Sequence, residues 1–202
     1  MNDGSVDRTS EVLAGFASKS GVKVLAHGKN RGYGAALRTG FAAASKEFIF
    51  FMDSDRQFDI RELSLLVNHM GEADIVVGFR KARNDSWLRK LAGWGFTAIN
   101  RWMLGIRVRD LNCAFKLFRT SLLKAMPLES NGAFINAEIL GRAMRLGHRI
   151  IEVPVSHFPR RTGAPTGLKP LVVLRAFGEL FRLAWKIRFA HSSIVNRHSS
   201  LL

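Results

Sequence analysis

The stretch "FIFFMDSDRQFD", residues 48–59, places a short apolar run directly before three aspartates. The apolar residues 48–52 predict a buried strand, after which Asp53 and Asp55 lie one residue apart. Two neighbouring carboxylates repel each other unless a cation lies with them. Mg²⁺ or Mn²⁺, which bind carboxylate and phosphate oxygens, would satisfy this pair. The alternative is an ordinary loop in which Asp59 caps the following helix.

Strands alternate with helices on both sides of this stretch. We predict strands at 22–27, 48–52, 74–79, 113–118 and 149–158, and helices at 7–19, 35–45, 60–70, 86–104, 136–146 and 168–190. This alternation is typical of an α/β fold in which helices flank a mostly parallel sheet. Ligands of such sheets bind beyond the carboxyl ends of the strands, where Asp53 and Asp55 fall.

The net charge of +15 is concentrated in the second part of the chain. Residues 1–79 hold nine Lys and Arg against ten Asp and Glu, whereas residues 80–202 hold twenty-two against six. A basic segment of this kind can bind nucleic acid or an anionic membrane surface. Its Trp and Phe residues lie in amphipathic stretches and it has no zinc-finger spacing, so we predict a membrane surface and no nucleic acid.

Two segments carry the membrane prediction. In 86–104, an apolar stripe is formed by Trp87, Leu91, Trp94, Ala98 and Trp102. This stripe has two possible interpretations, packing in the core and a platform at the membrane interface. In 168–190, one polar face is formed by Arg175, Glu179, Arg182 and Lys186. We assign 166–190 to an amphipathic membrane-interface helix and 191–202 to a flexible tail. Neither segment contains eighteen uncharged apolar residues in a row, so neither is predicted to cross a bilayer.

Several other features predict no special chemistry. The single cysteine, Cys113, cannot form an internal disulfide, which fits a reducing compartment, and we interpret it as inert packing. We predict a structural role for His27, because no second His or Cys lies at metal-ligand spacing. The glycine-rich turn at 28–34 lacks the Gly-Lys-Ser/Thr ending of a phosphate-binding P-loop.

Five segments occur in the order and rough spacing of family 2 glycosyltransferases. They are "NDGSVDRT" (2–9), "NRGYGAALRTGF" (30–41), "FMDSDRQFD" (51–59), "RDLNCAFKLFR" (109–119) and "EVPVSHFPRRTG" (152–163). Within that family the chain most resembles the polyprenyl-phosphate (dolichyl-phosphate) sugar transferases. The resemblance implies a Rossmann-like GT-A fold over residues 1–165. It also implies an inverting, metal-dependent transfer of a hexose from a GDP-mannose- or UDP-glucose-type donor to a polyprenyl phosphate.

The resemblance implies roles for residues on the donor side. Asp3 matches the acidic residue that contacts the nucleotide base, and Asn30 and Gly32 belong to the segment beside the nucleotide. The alternative for that segment is a plain turn into a helix. Asp53 and Asp55 match the pair that binds the divalent metal and the donor phosphates.

Further residues of the implied catalytic centre follow from the same match. Gln57 accompanies the metal pair, and Asp110 matches an aspartate that orients the site. The alternative for Asp110 is a simple ion pair with Arg109 or another nearby arginine. Glu138 is a second orienting carboxylate or, as the blander interpretation, a glutamate on a helix surface.

Arginines are the implied ligands of the acceptor phosphate. Arg89 and Arg109 resemble the family's acceptor-phosphate arginines, and Arg160 matches the arginine of its closing active-site loop. Arg80 and Arg83 are further candidates without a clear match. For each of these side chains the alternative is a solvated surface arginine.

The chain departs from the family at its start. The family normally begins with a strand and a Pro-x-Tyr-Asn-Glu-like turn, whereas this sequence begins just before "NDGS". We therefore expect the first strand to be missing and the natural start to lie upstream of Met1. We predict a peripheral location at the cytoplasmic membrane face, held by 86–104 and 166–190 or by a membrane-protein partner. The alternatives are a family 2 transferase with a saccharide acceptor and a non-catalytic remnant.

Overall fold

The computed structural model of the chain describes residues 1–81, 87–159, 178 and 180–182, with only the backbone for 87–93, 96 and 97. The helices are α1 (Thr9–Ala17), α2 (Tyr33–Ala43), α3 (Leu63–Val67, preceded by a 3₁₀ turn at Ile60–Glu62), α4 (Trp87–Leu104), α5 (Thr120–Ala125) and α6 (Ile135–Arg145). The strands are β1 (Phe48–Met52), β2 (Ile75–Arg80), β3 (Phe115–Arg119) and β4 (Ile150–Val155). The alternation of strands and helices predicted from the sequence is confirmed.

The four strands form one sheet in the order β1-β3-β2-β4. β3 pairs antiparallel with both β1 and β2, and β2 pairs in parallel with β4. Three strands therefore run in one direction and the central strand β3 opposes them. The prediction of a mostly parallel sheet is right for the direction of three strands but wrong for their pairing. Because β3 lies between β1 and β2 and runs against them, both of its pairings are antiparallel.

The strand predicted at 22–27 is wrong. Within the described residues this segment forms only an isolated bridge, in which Ala26 opposes Asn2. The Asn2 N–H donates to the Leu25 carbonyl at 2.8 Å, and the His27 N–H donates to the Asn2 carbonyl at 2.9 Å. An extended segment needs a neighbour along its length to form a ladder, and this one meets a single residue.

Both faces of the sheet are covered. On one face, Ile49, Phe51 and Phe118 belong to the larger core, which also takes up much of α6. On the other face, Val76 and Phe115 belong to a second cluster that includes Leu66 of α3. The alternation of side chains along each strand explains why neighbouring residues enter different cores. Burial on both faces explains the nearly continuous apolar run of β1.

The predicted membrane segments are described only in part. Trp94 and Trp102 of α4 are 70% and 81% exposed, so for these two residues the core interpretation of the stripe is wrong. Of residues 166–190 the structure describes 178 and 180–182, where Leu180 is buried in the larger core. The interface helix otherwise lies outside the described residues, as does the predicted tail at 191–202. Among the helices described, none is both long and apolar enough to cross a bilayer.

Candidate active site

The sheet topology brings the predicted site residues to one edge. Asp53 follows the last residue of β1, and Arg80 is the last residue of β2. Asp110 lies in the loop that enters β3. Because β3 runs against β1 and β2, its start lies at the same edge as their ends, where Met52 opposes Phe115. The sequence-based placement of the aspartates at a carboxyl edge of the sheet is confirmed.

The two aspartates of the metal prediction sit in a tight, half-buried turn. The Tyr33 hydroxyl donates to Asp53 Oδ1 at 3.2 Å, and the Gln57 N–H donates to Asp55 Oδ1 at 3.1 Å. Arg56, between them and Gln57, has a left-handed φ of 61°. Burial, and then the negative charge of Asp53, raise the pKa of Tyr33 well above its ordinary value. Tyr33 therefore remains a neutral donor beside the carboxylate pair.

Gln57 links this turn to the segment after β4. Its side-chain amide donates to the Phe158 carbonyl at 3.2 Å, while the Phe158 N–H donates to the Gln57 carbonyl at 2.9 Å. The loop carrying Asp53 and Asp55 is thereby joined to residues 156–159. Arg160, predicted as a catalytic and acceptor-binding residue, follows directly but lies outside the described residues.

Asp3 organises the glycine-rich turn. Its Oδ1 lies 2.6 Å from His27 Nδ1 and accepts from the Arg31 N–H at 3.0 Å, while Oδ2 accepts from the Gly32 N–H at 2.8 Å. Burial alone would raise the pKa of Asp3, but these hydrogen bonds outweigh it and lower the pKa. His27 Nε2 lies 2.9 Å from the Thr39 hydroxyl, so both ring nitrogens have partners inside the fold. A structural role for His27 is consistent with these contacts.

An open cleft of about 520 Å³ borders the same turn and is lined by Ala26, His27, Gly28, Lys29 and Arg31. Asn30, predicted to lie beside the nucleotide, is exposed. Its two sequence neighbours, Lys29 and Arg31, both line this cleft. The lining is basic, which suits an anionic group. The lining includes His27 and Arg31, which both contact Asp3, and it does not extend to the aspartates after β1.

Glycines in this turn allow a close approach to the loop before α6. Gly32 has a φ of 100°, and a Cβ there would lie 2.5 Å from the Asn131 carbonyl oxygen. A Cβ on Gly34 would lie 2.4 Å from the Ser130 carbonyl oxygen. The Gly34 N–H donates to the Asn131 carbonyl at 2.7 Å, which satisfies an otherwise free donor at the start of α2. Glycine at these positions is therefore required by packing.

Glu138 holds that loop in place, and its interpretation as a surface glutamate is wrong. It is fully buried on α6. Its carboxylate accepts from the Glu129 and Ser130 N–H groups, at 3.1 and 2.8 Å, and from Arg142 Nη2 at 3.0 Å. The spacing of α6 could not indicate this, because nearly every residue from Ile135 to Gly141 is buried. Glu138 therefore supports the glycine-rich turn indirectly, through residues 129–131.

Asp110 pairs with Arg80. Arg80 Nε and Nη2 lie 2.5 and 2.8 Å from the two Asp110 oxygens, and the two side chains are only 12% and 9% exposed. Both residues also have further interactions. The pairing alternative for Asp110 is confirmed, with Arg80 as the partner, while Arg109 is not the residue that forms this pair.

Arg109 lies at the exposed side of the same edge. Its guanidinium carbon lies 4.7 Å from the centre of the Phe79 ring. The backbone N–H of Arg109 donates to Glu152 Oε1 at 2.6 Å. Stacking on an aromatic ring holds a guanidinium in one orientation and leaves its N–H groups available. The side chain of Arg89 and the whole of Arg83 lie outside the described residues.

A buried lysine in the inner strand β3 was not predicted. Lys116 is 1% exposed and its ammonium lies 5.4 Å from the centre of the Phe51 ring. Burial lowers the pKa of Lys116 to about 8, an effect that the negative charges of Asp110 and Asp53 oppose. The presence of a lysine within the apolar run "CAFKLF" was the sequence feature that could have indicated its burial. Cys113 of that run is buried, which raises its thiol pKa to about 12 and fits inert packing.

Comparison with known proteins identifies the family of this chain. The model of the family described as "Glycosyl transferase family 2" matches residues 1–130. The chain belongs to glycosyl transferase family 2. Asp3, the glycine-rich turn and the aspartates after β1 all lie within the matched region. The resemblance inferred from the five sequence segments is confirmed at the level of the family.

Curated relatives of this family member share a class of acceptor in their names. The chain is 32% identical over 179 residues to the undecaprenyl-phosphate 4-deoxy-4-formamido-L-arabinose transferase of Edwardsiella ictaluri, covering 86% of this chain and 54% of that protein. It is 28% identical over 200 residues to the dodecaprenyl-phosphate galacturonate synthase of Rhizobium johnstonii, covering 95% and 59%. The chain thus spans little more than half the length of these relatives. An undecaprenyl-phosphate mannosyltransferase of Micrococcus luteus is 28% identical, covering 81% and 72%.

Solved structures agree on the fold. Glucosyl-3-phosphoglycerate synthase of Mycobacterium tuberculosis, in complex with UDP, superposes with a TM-score of 0.68 at 22% identity, covering 90% of this chain and 66% of that one. The same enzyme with Mn²⁺, UDP-glucose and phosphoglyceric acid gives a TM-score of 0.67 at 21% identity, covering 90% and 66%. At this identity the likeness concerns the fold alone, and it confirms the expected GT-A type.

Proposed function

We propose that this chain carries the sugar-transfer domain of an enzyme that moves a hexose from a nucleotide diphosphate sugar to a polyprenyl phosphate. The observation that carries the proposal is that the Asp53–Asp55 turn and the Arg80–Asp110 pair lie at the same edge of the sheet. The named relatives differ in their sugars but share a polyprenyl phosphate. The acceptor class is therefore better supported than any particular donor, GDP-mannose and UDP-glucose types included.

The carboxylate pair fits a Mg²⁺ or Mn²⁺ ion that is shared with the donor. Within residues 1–81 and 87–159, no group of three or more His, Cys, Asp and Glu is placed to hold a metal alone. Mg²⁺ is commonly held by one or two carboxylates together with substrate phosphates, which matches Asp53 and Asp55. Such an ion, when bound, neutralises charge on the departing nucleotide. Mycobacterial neighbours of the same fold were crystallised with Mn²⁺ or Mg²⁺ and UDP.

The acceptor needs capture more than activation. A polyprenyl phosphate is already an anion at neutral pH, so its oxygen can attack the sugar carbon without a strong general base. The new bond joins a phosphate oxygen to the anomeric carbon as the bond to the nucleoside diphosphate breaks, and attack from the opposite face inverts that carbon. We assign the positioning of the acceptor phosphate to Arg109, together with Arg89 and Arg160. Asp110 orients this edge through Arg80.

The acceptor lipid places the domain at a membrane. Residues 86–109 contain five Lys and Arg and no Asp or Glu, and Trp94 and Trp102 of α4 are largely exposed. Tryptophan favours the boundary between headgroups and acyl chains, and basic residues favour anionic lipids. We propose that α4 docks on the cytoplasmic membrane face, alone or with a membrane-protein partner.

A transfer assay tests the proposed function. The purified chain would be incubated with radiolabelled nucleotide sugars, a short polyprenyl phosphate and Mn²⁺, with EDTA in a parallel reaction. We expect one donor to give a lipid-linked product that EDTA abolishes. Product on a saccharide but not on the lipid would instead support a saccharide-acceptor transferase.

Calorimetry with UDP and GDP, with and without Mn²⁺, separates the remaining alternative. Metal-dependent nucleotide binding would show that the donor site survives in this chain, whereas a non-catalytic remnant without that site should bind neither UDP nor GDP. If neither nucleotide binds in the presence of Mn²⁺, the proposed donor site is rejected.

A further inference from the structure

Lys116 occupies an unusual position for a charged residue. It lies in the middle of the central strand β3, opposite Phe51 on one side and Val77 on the other. It shares a strand face with Phe118, which belongs to the larger core. Burying an ammonium in such a place is costly unless its donors are satisfied. The sugar-transfer proposal assigns this residue no part.

All three ammonium donors of Lys116 have partners. Nζ donates to the Leu111 carbonyl at 3.2 Å, to the Cys113 carbonyl, and to Asn136 Oδ1 at 3.0 Å. The first two acceptors belong to the loop that follows Asp110. The third acceptor, Asn136, belongs to α6. The ammonium therefore joins the Asp110 loop to α6.

The contacts continue from α6 to the metal-binding aspartate. Asn136 is buried, and its side chain lies close enough to the Tyr33 hydroxyl to oppose, in part, the rise in the pKa of that hydroxyl. The Tyr33 hydroxyl in turn donates to Asp53 Oδ1 at 3.2 Å. A connected set of polar side chains therefore runs from the Asp110 loop through Lys116, Asn136 and Tyr33 to Asp53, with hydrogen bonds at both ends. It crosses three separate parts of the sequence.

We propose that Lys116 is a positioning residue for transfer, because it fixes the donor-side Asp53 and the acceptor-side Asp110 loop in one geometry through Asn136 and Tyr33. Lys116 does not touch substrate in this role. The inference rests on the proposed function, since it assumes that both ends of this set of side chains act in the same reaction. It goes further by naming a residue outside the carboxylates and arginines of the site.

The energetics favour positioning over simple packing. Replacing a buried ionic group by an apolar one of similar volume is often neutral or stabilising, so stability alone does not explain a lysine here. Groups that hold a reacting pair need a rigid second layer of hydrogen bonds. A misplacement of about 1 Å can lower turnover by about a hundredfold. A fully bonded ammonium between two loops supplies that rigidity.

A double-mutant cycle tests the inference. Lys116→Met, which keeps the length of the side chain, and Tyr33→Phe, which removes only the hydroxyl, would be made singly and together. For each, kcat and the Kd of nucleotide in the presence of Mn²⁺ would be measured. We expect each single change to lower kcat by about ten- to a hundredfold. We expect the double variant to lose little more than the worse single one, a coupling of about tenfold or greater.

Independent effects would overturn the inference. If the losses in kcat multiply in the double variant, Lys116 and Tyr33 do not act through the same set of side-chain contacts. Lys124→Met is the matched control, because Lys124 is exposed on α5 and also donates to a backbone carbonyl, that of Ala44. It should leave both kcat and nucleotide affinity unchanged.

A second cycle covers the case in which Lys116→Met fails to fold. Asn136→Leu breaks the link between Lys116 and Tyr33 while it keeps the lysine and its two carbonyl partners. Its combination with Tyr33→Phe should show the same coupling, and multiplying effects would again overturn the inference. If the wild-type chain shows no metal-dependent nucleotide binding and no transfer, the proposed function fails. If the wild type is active and the cycles are additive, only the role of Lys116 fails.

Discussion

Arg80 Nε lies 2.5 Å from Asp110 Oδ2, and Arg80 Nη2 lies 2.8 Å from Asp110 Oδ1. This two-point pair connects the last residue of β2 to the loop that enters β3. Because both side chains are nearly buried, the pair sits in a region of low dielectric constant where geometry matters most. It therefore fixes the edge of the sheet at which the acceptor-binding residues are proposed to lie.

Removing one partner of this pair should cost much more than removing one partner of an exposed pair. Asp110→Ala removes the two-point partner of the largely buried Arg80, which keeps its other interactions, so we expect the free energy of unfolding to fall by about 3 kcal/mol. Arg61→Ala is the control, because Arg61 pairs with Asp59 at 2.6 Å while it is 86% exposed. That change should cost less than about 1 kcal/mol. Urea unfolding measures both, and equal costs would contradict the importance of burial here.

Asp55→Ala should abolish metal-dependent binding and transfer while the fold survives. The turn loses the hydrogen bond from the Gln57 N–H, worth about 1 kcal/mol. The carboxylate proposed to hold the metal is lost as well, so turnover should fall at least about a hundredfold. Calorimetry with UDP or GDP and Mn²⁺ measures binding, and the radiolabel assay measures transfer.

Asp59→Ala serves as the control for that change. Asp59 lies in the same loop and accepts from the Arg61 N–H at 3.0 Å, so its loss should cost a similar stability of about 1 kcal/mol. It should retain nucleotide binding. Wild-type turnover by Asp55→Ala would refute the metal assignment.

The parts of the fold that were predictable are local ones. The limits of β1 were predicted correctly, because an apolar run followed by aspartates is visible within twelve residues. The reversed direction of β3 was not predicted, since the direction of a strand depends on which neighbours it meets, and these are distant in sequence. The prediction of a strand at 22–27 was wrong for the same reason, because a strand forms only where a neighbouring segment pairs with it.

The same distinction holds for the site. The carboxylate pair after β1 is contiguous in sequence, so its position could be predicted. The partner of Asp110 lies 30 residues away, and several arginines of the basic segment were equally eligible. The burial of Lys116 and of Glu138 was not predicted, because charged residues in strands and helices are usually solvated. Only the packing of whole elements shows that these two are buried.

Arg109→Ala should weaken use of the lipid phosphate more than binding of the donor. The exposed guanidinium is held over the Phe79 ring and is proposed to contact the acceptor phosphate. We expect the KM for a short polyprenyl phosphate to rise about tenfold, as for the loss of one charge-assisted hydrogen bond. The nucleotide Kd should not change. Arg145→Ala, an exposed arginine on α6, is the control, and an unchanged KM and kcat for Arg109→Ala would dismiss the role.

Asp3→Asn should change how stability depends on pH. The folded-state pKa of Asp3 is lowered from its ordinary value of 3.8, so its contribution to stability is fully present above that value. It is lost as the pH falls through the folded-state pKa. The wild type should therefore be more stable than Asp3→Asn at pH 7, and this advantage should shrink below about pH 4. Urea unfolding at several pH values measures it, and a constant difference would contradict the ionised state of Asp3.

Trp94→Ser combined with Trp102→Ser should release the chain from anionic vesicles. Both side chains are already mostly exposed, so their loss should cost little stability. If they insert at the membrane boundary, removing them should lower the partition coefficient at least about tenfold. Phe16→Ser on α1 is the control, since Phe16 is 42% exposed on a helix with no buried residue. Sedimentation with phosphatidylglycerol-containing vesicles measures binding, and unchanged binding by the double variant would show that α4 is not the docking surface.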